Sequence, residues 1–341
     1  MLTHTLPQIP YHRLARTATN RWWKTLLGFI LMPVAYLFVV FFGSLVVFIP
    51  FMIASGSAKT PEFSPLAELG VGLGSIAIVL PLILLAAWWT QGRRPGTLSS
   101  VRGRLRWRWL LGCVLLAVPM TLLALGLAVG LYALTGSDSG DDYQWVGWAT
   151  FGPALLLVFA LVPFQAAAEE YLCRGWLLQS VGAFVRWRWI AIGVQTLVFA
   201  LLHGVGTPWG FADLVVFGAV TGWLAIRTGG LESGIALHVV NNVLALSLAV
   251  SAVGGLTLDE TAADSGWQLA VADILVIVSY GLLVRWLATR FRVETAARGP
   301  IELAGRESIE PVAAVPAPGT DRGPVLTSLS SLPDVSSSSG K

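Results

Sequence analysis

The chain contains eight long apolar stretches, and this pattern restricts it to a membrane-spanning fold. A helix needs about 20 mostly apolar residues to cross the hydrocarbon core of a bilayer. Charged residues make up only 12% of the 341 residues, whereas soluble domains carry about 25%. We therefore predict an all-α, polytopic membrane bundle of about eight transmembrane helices. The predicted spans cover about 25–54, 69–89, 109–134, 152–181, 190–202, 211–226, 234–253 and 269–287.

The charges between these stretches predict the orientation of the chain. Basic residues lie before the first span and after the second, fourth, sixth and eighth, whereas the segments 137–142 and 259–264 are acidic. Cytoplasmic loops of membrane proteins carry an excess of Lys and Arg. Both termini are therefore predicted to be cytoplasmic, in a multi-pass protein of the plasma (or bacterial inner) membrane. The first span has no cleavage-site pattern and is expected to stay as an anchor.

Three regions follow from this reading of the chain. Residues 1–24 form a basic cytoplasmic segment, and residues 25–292 form the transmembrane helical domain. Residues 293–341 are rich in proline and serine and are too poor in apolar residues to build a core, so we predict a disordered cytoplasmic tail. The sequence shows neither a basic stripe nor an aromatic RNA-binding motif, and we expect no nucleic-acid partner.

Two adjacent acids, Glu169 and Glu170, lie inside the fourth apolar stretch. An ionisable side chain at the centre of a bilayer costs about 2.5–3.5 kcal/mol on insertion scales, and such residues usually face a polar cavity or a partner. Arg174 follows Glu170 by four residues, which is a favourable helical spacing for an ion pair. Glu169 points about 100° away around the helix and stays available for other groups.

Other polar residues lie at the spacing of one helix face in two further apolar stretches. Phe199 and His203 are four residues apart, as are His238 and Asn242. Taken alone, each buried His or Asn is readily explained as a hydrogen-bonded contact between helices. Taken together with Glu169, they exceed what packing requires, and we predict that the three helices turn these groups toward one interior site.

The ordered motifs Glu169-Glu170-x-x-x-Arg174, Phe199-x-x-x-His203 and His238-x-x-x-Asn242 resemble those of the CPBP family. This family comprises CAAX-processing and bacteriocin-processing (Abi) intramembrane proteases, including the Rce1-like prenyl-protein endopeptidases. The resemblance covers about residues 150–255. It implies an intramembrane endopeptidase that acts on a membrane-embedded or lipidated protein or peptide.

The resemblance implies roles for the motif residues. Glu169 is expected to act as the general base on a water held by His203, and His238 and Asn242 to stabilise the oxyanion. Glu170, Arg174 and Phe199 are expected to hold these residues in position without taking part in the reaction. A metalloprotease version, with Zn²⁺ on Glu169, His203 and His238, stays open, although Asn is an uncommon zinc ligand and a good oxyanion donor. The expected cofactor is therefore none or zinc.

Two other functional classes and two further residues bear on this interpretation. Buried Glu and His also serve proton-coupled transporters, but we find no inverted repeat. A non-catalytic scaffold or bacteriocin-immunity protein is the second alternative. Cys173 lacks a positioned base and is interpreted as a packing residue, and Asp273 lies in the eighth span without a motif that links it to the site.

Overall fold

The computed structural model describes residues 8–56, 63–136, 143–255 and 261–298, which are mainly helical. A π-helical segment covers Tyr171–Leu177. Two short strands, β1 (Gln8–Pro10) and β2 (Ala296–Arg298), pair antiparallel. The helices are α1 (Trp22–Ser55), α2 (Pro65–Ala77), α3 (Val79–Trp89), α4 (Trp107–Thr135), α5 (Trp148–Glu170), α6 (Leu178–Phe184), α7 (Arg188–Leu202), α8 (Pro208–Thr228), α9 (Glu232–Ala249) and α10 (Trp267–Arg290).

Seven helical segments of the described chain are long and apolar enough to cross a membrane. Two of these segments combine shorter helices: α2 with α3, and α5 with the π-helical segment and α6. Helix α7 is apolar but has only 15 residues. The eight segments follow the predicted order, which confirms the all-α bundle and makes this a multi-pass membrane protein. The cytoplasmic location of the termini stays a prediction.

The second predicted span is interrupted, because Pro81 lies inside it. A proline removes the hydrogen bond to the carbonyl group four residues earlier and its ring clashes with that group. The affected carbonyl belongs to Ala77, which is where α2 ends, and α3 begins at Val79. The predicted span is nevertheless confirmed, because α2 and α3 together form one segment long and apolar enough to cross a membrane.

The helices that carry the predicted motifs are connected directly, as α5 and α9 are, or through α8, which contacts both α7 and α9. Helix α5 contacts α2 and α9, α7 contacts α8, and α10 contacts both α4 and α8. A two-pronged ion pair fixes the start of α9 to the start of α4: the Nη2 and Nε atoms of Arg106 lie 2.6 and 2.8 Å from the carboxylate oxygens of Glu232. Glu232 is fully buried, so this pair sets the position of α9.

The last described residues are folded, which corrects the predicted start of the tail. Residues 293–298 were assigned to a disordered segment that begins at 293, but Ala296–Arg298 pairs with Gln8–Pro10. In addition, Glu294 accepts two hydrogen bonds from Arg102, at 2.7 and 2.9 Å. Composition alone hides this pairing because the partner strand lies near the other end of the chain. The rest of the predicted tail, 299–341, lies outside the described residues.

Candidate active site

Glu169 and Glu170 end α5 and differ sharply in their surroundings. The side chain of Glu170 is fully buried, whereas that of Glu169 keeps 16% of its surface exposed. The wider π-helical turn begins at the next residue, Tyr171. Such turns are rare and occur frequently at functional sites. The two acids therefore lie where the helix changes its winding, with Glu170 enclosed by protein and Glu169 partly exposed.

The carboxylate of Glu170 is held by the guanidinium group of Arg174 and the imidazole ring of His238. Its Oε1 atom lies 3.1 Å from Nη1 of Arg174, which gives the ion pair expected from the four-residue spacing, and 3.0 Å from Nδ1 of His238. The Arg174 guanidinium is also fully buried and lies 4.0 Å from the centre of the Phe199 ring. Its Nε donates to Thr221 at 2.9 Å. The opposite charges of Glu170 and Arg174 pair with each other, so the cluster positions His238 without an isolated buried charge, although Oε2 of Glu170 makes no hydrogen bond within the described residues.

The hydrogen bonds of the two histidines define which ring nitrogen carries a proton. Nδ1 of His238 faces the carboxylate of Glu170, and Nδ1 of His203 lies 2.9 Å from the carbonyl oxygen of Phe199. Both partners only accept hydrogen bonds, so Nδ1 is the donor in each ring. In the neutral form, each Nε2 is then an acceptor. Phe199 thus contributes its main chain to one histidine and its ring to the packing of Arg174.

Both Nε2 atoms point toward the same oxygen of Glu169. The Oε2 atom of Glu169 lies 3.7 Å from Nε2 of His203 and 3.7 Å from Nε2 of His238. These distances are too long for direct hydrogen bonds. Among the described residues, this buried oxygen has no hydrogen-bond partner. Three acceptors therefore face one another across a gap, an arrangement that a molecule with two donor hydrogens would satisfy.

The other oxygen of Glu169 is held by a residue that the sequence motifs did not include. Gln165 Nε2 donates to Oε1 of Glu169, and the amide of Asn242 donates to Gln165 Oε1 at 3.2 Å. The structure therefore connects Asn242 to Glu169 through Gln165. The role expected for Asn242, at the oxyanion, did not include this contact. Gln165 precedes Glu169 by four residues on the same helix face, and this spacing was the signal that could have identified it.

A cavity of about 350 Å³ adjoins the cluster. His203, His238 and Asn242 line one part of its wall. Asp213 and Asp273 also line it, so Asp273 shares this cavity although no sequence motif links it to the site. Cys173 is absent from this wall and is 1% exposed, in agreement with a packing role.

The fit of a metal ion depends on the donor set. Within residues 8–56, 63–136, 143–255 and 261–298, no group of three or more His, Cys, Asp or Glu side chains is arranged to hold a metal ion. Glu169, His203 and His238 come closest in type, but one Glu169 oxygen is already bonded to Gln165. The described side chains therefore do not form a complete three-ligand metal site.

Comparison with known proteins agrees with the resemblance of the motifs. Residues 150–244 match the model of the family described as type II CAAX prenyl endopeptidase Rce1-like. The chain is 23% identical over 241 residues to the uncharacterized protein YyaK of Bacillus subtilis (strain 168), over 66% of this chain and 77% of that protein. The search of solved structures gave no significant match. The matched segment contains Glu169, His203, His238 and Asn242, and over residues 150–244 this chain is similar to the Rce1-like family of CAAX-type endopeptidases.

Proposed function

We propose that this protein hydrolyses a peptide bond of a membrane-embedded or lipidated protein by means of a water molecule activated by Glu169. The observation that carries this proposal is the gap between Oε2 of Glu169 and the two imidazoles, each 3.7 Å away. A water molecule there can give its hydrogens to two of the three acceptors, which leaves an oxygen lone pair free for attack. The Rce1-like match supports an endopeptidase in a membrane.

The proposed reaction balances with the residues of the cluster. Glu169 takes a proton from the water while the water oxygen bonds to the carbonyl carbon, and the carbonyl oxygen becomes an oxyanion. Glu169 then gives that proton to the departing nitrogen as the C–N bond breaks. The second proton of the water passes from the new carboxylic acid to the amine, which yields a carboxylate and an ammonium group. His203 holds the water through Nε2. Gln165 fixes the other oxygen of Glu169 and so keeps Oε2 toward the two rings.

Two residues are proposed to stabilise the oxyanion. The amide nitrogen of Asn242 has two hydrogens and uses one of them on Gln165, so the second is available. His238 can donate from Nε2 only when its ring carries a proton on both nitrogens. A positive charge on that ring would lie 3.0 Å from the carboxylate of Glu170, which compensates it. Glu170 and Arg174 are thus positioning residues for His238.

The experiment that tests this function compares new protein termini in the membranes of cells that carry wild type, Glu169→Ala or Glu68→Ala protein. Glu68 is an exposed acid in the first turn of α2 and serves as the matched control. We expect the same cleavage products for wild type and Glu68→Ala and their loss for Glu169→Ala. Unchanged products in Glu169→Ala cells would refute the proposal. The identified peptides would also reveal whether the substrate is lipidated.

Three further measurements separate this proposal from its alternatives. Purified protein that keeps its activity after chelation, without bound metal, supports a metal-free mechanism, whereas loss of activity that Zn²⁺ restores would replace it with the zinc version. A cellular phenotype that persists when Glu169 and His203 are both replaced by Ala would support a scaffold or immunity role. Proton-coupled uptake into liposomes, without cleavage, would support a transporter.

A further inference from the structure

Four arginines gather around two adjoining cavities on a face away from the proposed active site. Arg13 and Arg186 line both cavities, which measure about 560 and 410 Å³. Arg16 lines the first cavity, and Arg188 lines the second. Arg13 and Arg16 come from the segment before α1, whereas Arg186 lies in the link between α6 and α7 and Arg188 is the first residue of α7. The cluster is therefore built by two parts of the chain that are far apart in sequence.

The segment that carries Arg13 and Arg16 is anchored. Tyr11 is fully buried, and its hydroxyl group donates to the carbonyl oxygen of Leu98. The Asn20 side chain donates to the carbonyl oxygen of Ala15 at 2.9 Å and accepts from Thr25 at 3.1 Å. These bonds hold the backbone that carries Arg13 and Arg16 against the bundle.

The positive charge of this cluster is not compensated by acids in the described part of the chain. No described carboxylate lies within ion-pair distance of these arginines, unlike Arg106 and Arg102, which bind Glu232 and Glu294. The buried Nε atom of Arg13 also has no described hydrogen-bond partner. The pKa of the neighbouring His12 is lowered to about 4, first by burial and then by the positive charges of Arg13 and Arg188. A bound anion would compensate the excess positive charge of the four arginines.

Aromatic side chains place the cluster at the membrane surface. Phe184, Trp187 and Trp189 are 51%, 69% and 56% exposed beside Arg186 and Arg188. Trp and Tyr are enriched where a protein meets the headgroup layer. Helix α1, a predicted span, begins at Trp22, directly after the anchored segment. An anion bound here would lie at the depth of lipid phosphates, next to surface that contacts acyl chains.

We propose that Arg13, Arg16 and Arg186 form a binding site for the phosphate of an anionic phospholipid, on the face that the loop charges predict to be cytoplasmic. Guanidinium groups pair with phosphate through two parallel hydrogen bonds. Basic pockets at the cytoplasmic ends of membrane helices bind lipid headgroups of this class. This proposal is independent of the peptidase function, since no residue of the site near Glu169 takes part.

The test uses the full chain in vesicles of phosphatidylcholine, alone or mixed with phosphatidylglycerol. The triple variant Arg13→Gln, Arg16→Gln and Arg186→Gln is compared with a double variant of two exposed arginines of the same predicted face, Arg104→Gln and Arg108→Gln. Phosphatidylglycerol is expected to raise the melting temperature of wild type and double variant. Native mass spectrometry should show phosphatidylglycerol retained by both, and bound about tenfold or more weakly by the triple variant.

Equal retention by the triple and double variants would overturn the proposal. Inorganic phosphate that reproduces the full shift in phosphatidylcholine alone would assign the site to a free anion and also overturn it. If the triple variant does not fold in phosphatidylcholine, Arg16→Gln replaces it, because Arg16 is exposed and can change without loss of a buried contact. A smaller but clear loss of phosphatidylglycerol is then expected, and no loss contradicts the proposal.

Discussion

The position of Glu170 can be tested by the substitution Gly234→Ala in α9. A Cβ atom at Gly234 would lie 2.5 Å from Oε2 of Glu170, whereas ordinary contacts begin at 3.4 Å. The carboxylate would have to retreat by about 0.9 Å to restore an ordinary contact. Its other oxygen is bound by His238 at 3.0 Å and Arg174 at 3.1 Å, so the retreat stretches both interactions.

The expected loss in the free energy of unfolding has two sources: overpacking by the added methyl group and displacement of the buried Glu170–Arg174 pair. Extra methyl groups in a packed core cost about 1–3 kcal/mol, and a buried ion pair that loses one partner completely costs about 3–5 kcal/mol. Because the pair is displaced rather than removed, we expect Gly234→Ala to destabilise the protein by about 2 kcal/mol. Denaturant unfolding in one fixed detergent measures this change, and we expect peptidase activity to fall in parallel.

Two further variants make this prediction specific. A Cβ atom added at Gly193 in α7 would meet no neighbouring atom within 4 Å, and Gly193→Ala should therefore be neutral or stabilise by about 0.5–1 kcal/mol. Glu170→Asp shortens the acid, so it should recover part of the stability lost in Gly234→Ala when the two are combined. A stable and active Gly234→Ala protein, or strictly additive effects of the two changes, would refute the placement of Glu170 against α9.

Substitutions at Gln165, His12 and Gly182 test three separate contacts of the described structure. Gln165→Leu removes the donor that fixes Glu169 and should lower peptidase activity by about 10- to 100-fold with little change in KM; a variant with full activity would contradict this role. The pKa of His12 is about 4 in the folded protein, against an ordinary value of 6.5. As the pH falls below 6.5, the unfolded chain therefore binds a proton at His12 before the folded protein does. The free energy of unfolding should consequently fall as the pH drops from 6.5 toward 4. Thermal melts of wild type and His12→Gln would check this, since the variant should lose part of the pH dependence. Gly182→Ala would place a Cβ atom 2.1 Å from the carbonyl oxygen of His12, and we expect increased proteolysis of the N-terminal segment, whereas wild-type resistance would argue against that contact.

Local spacing predicted those parts of the site that lie within one helix. The Glu170–Arg174 ion pair and the shared face of Phe199 and His203 follow from the four-residue period. The requirement that polar groups avoid lipid also predicted that α5, α7 and α9 would turn toward one interior. These expectations rest on rules that each helix obeys separately.

Contacts between helices could not be predicted in the same way. Whether Asn242 reaches Gln165, or Arg174 reaches Thr221, depends on how the helices cross and on their rotation about their axes. The π-helical segment after Glu170 shifts the phase of every later residue in that span, and no residue type in it marks the change. The strand at Ala296–Arg298 was missed because it forms only with a partner near the N-terminus.

The central claim is that Glu169 activates the water that cleaves the substrate. The most direct measurement is the rate at which purified protein in lipid cleaves a peptide identified in cells, for wild type and Glu169→Gln. The variant keeps the size of the side chain but removes its capacity to accept a proton, so the rate is expected to fall by about 10²- to 10⁴-fold with an unchanged melting temperature. Cleavage by Glu169→Gln at the wild-type rate would contradict the account.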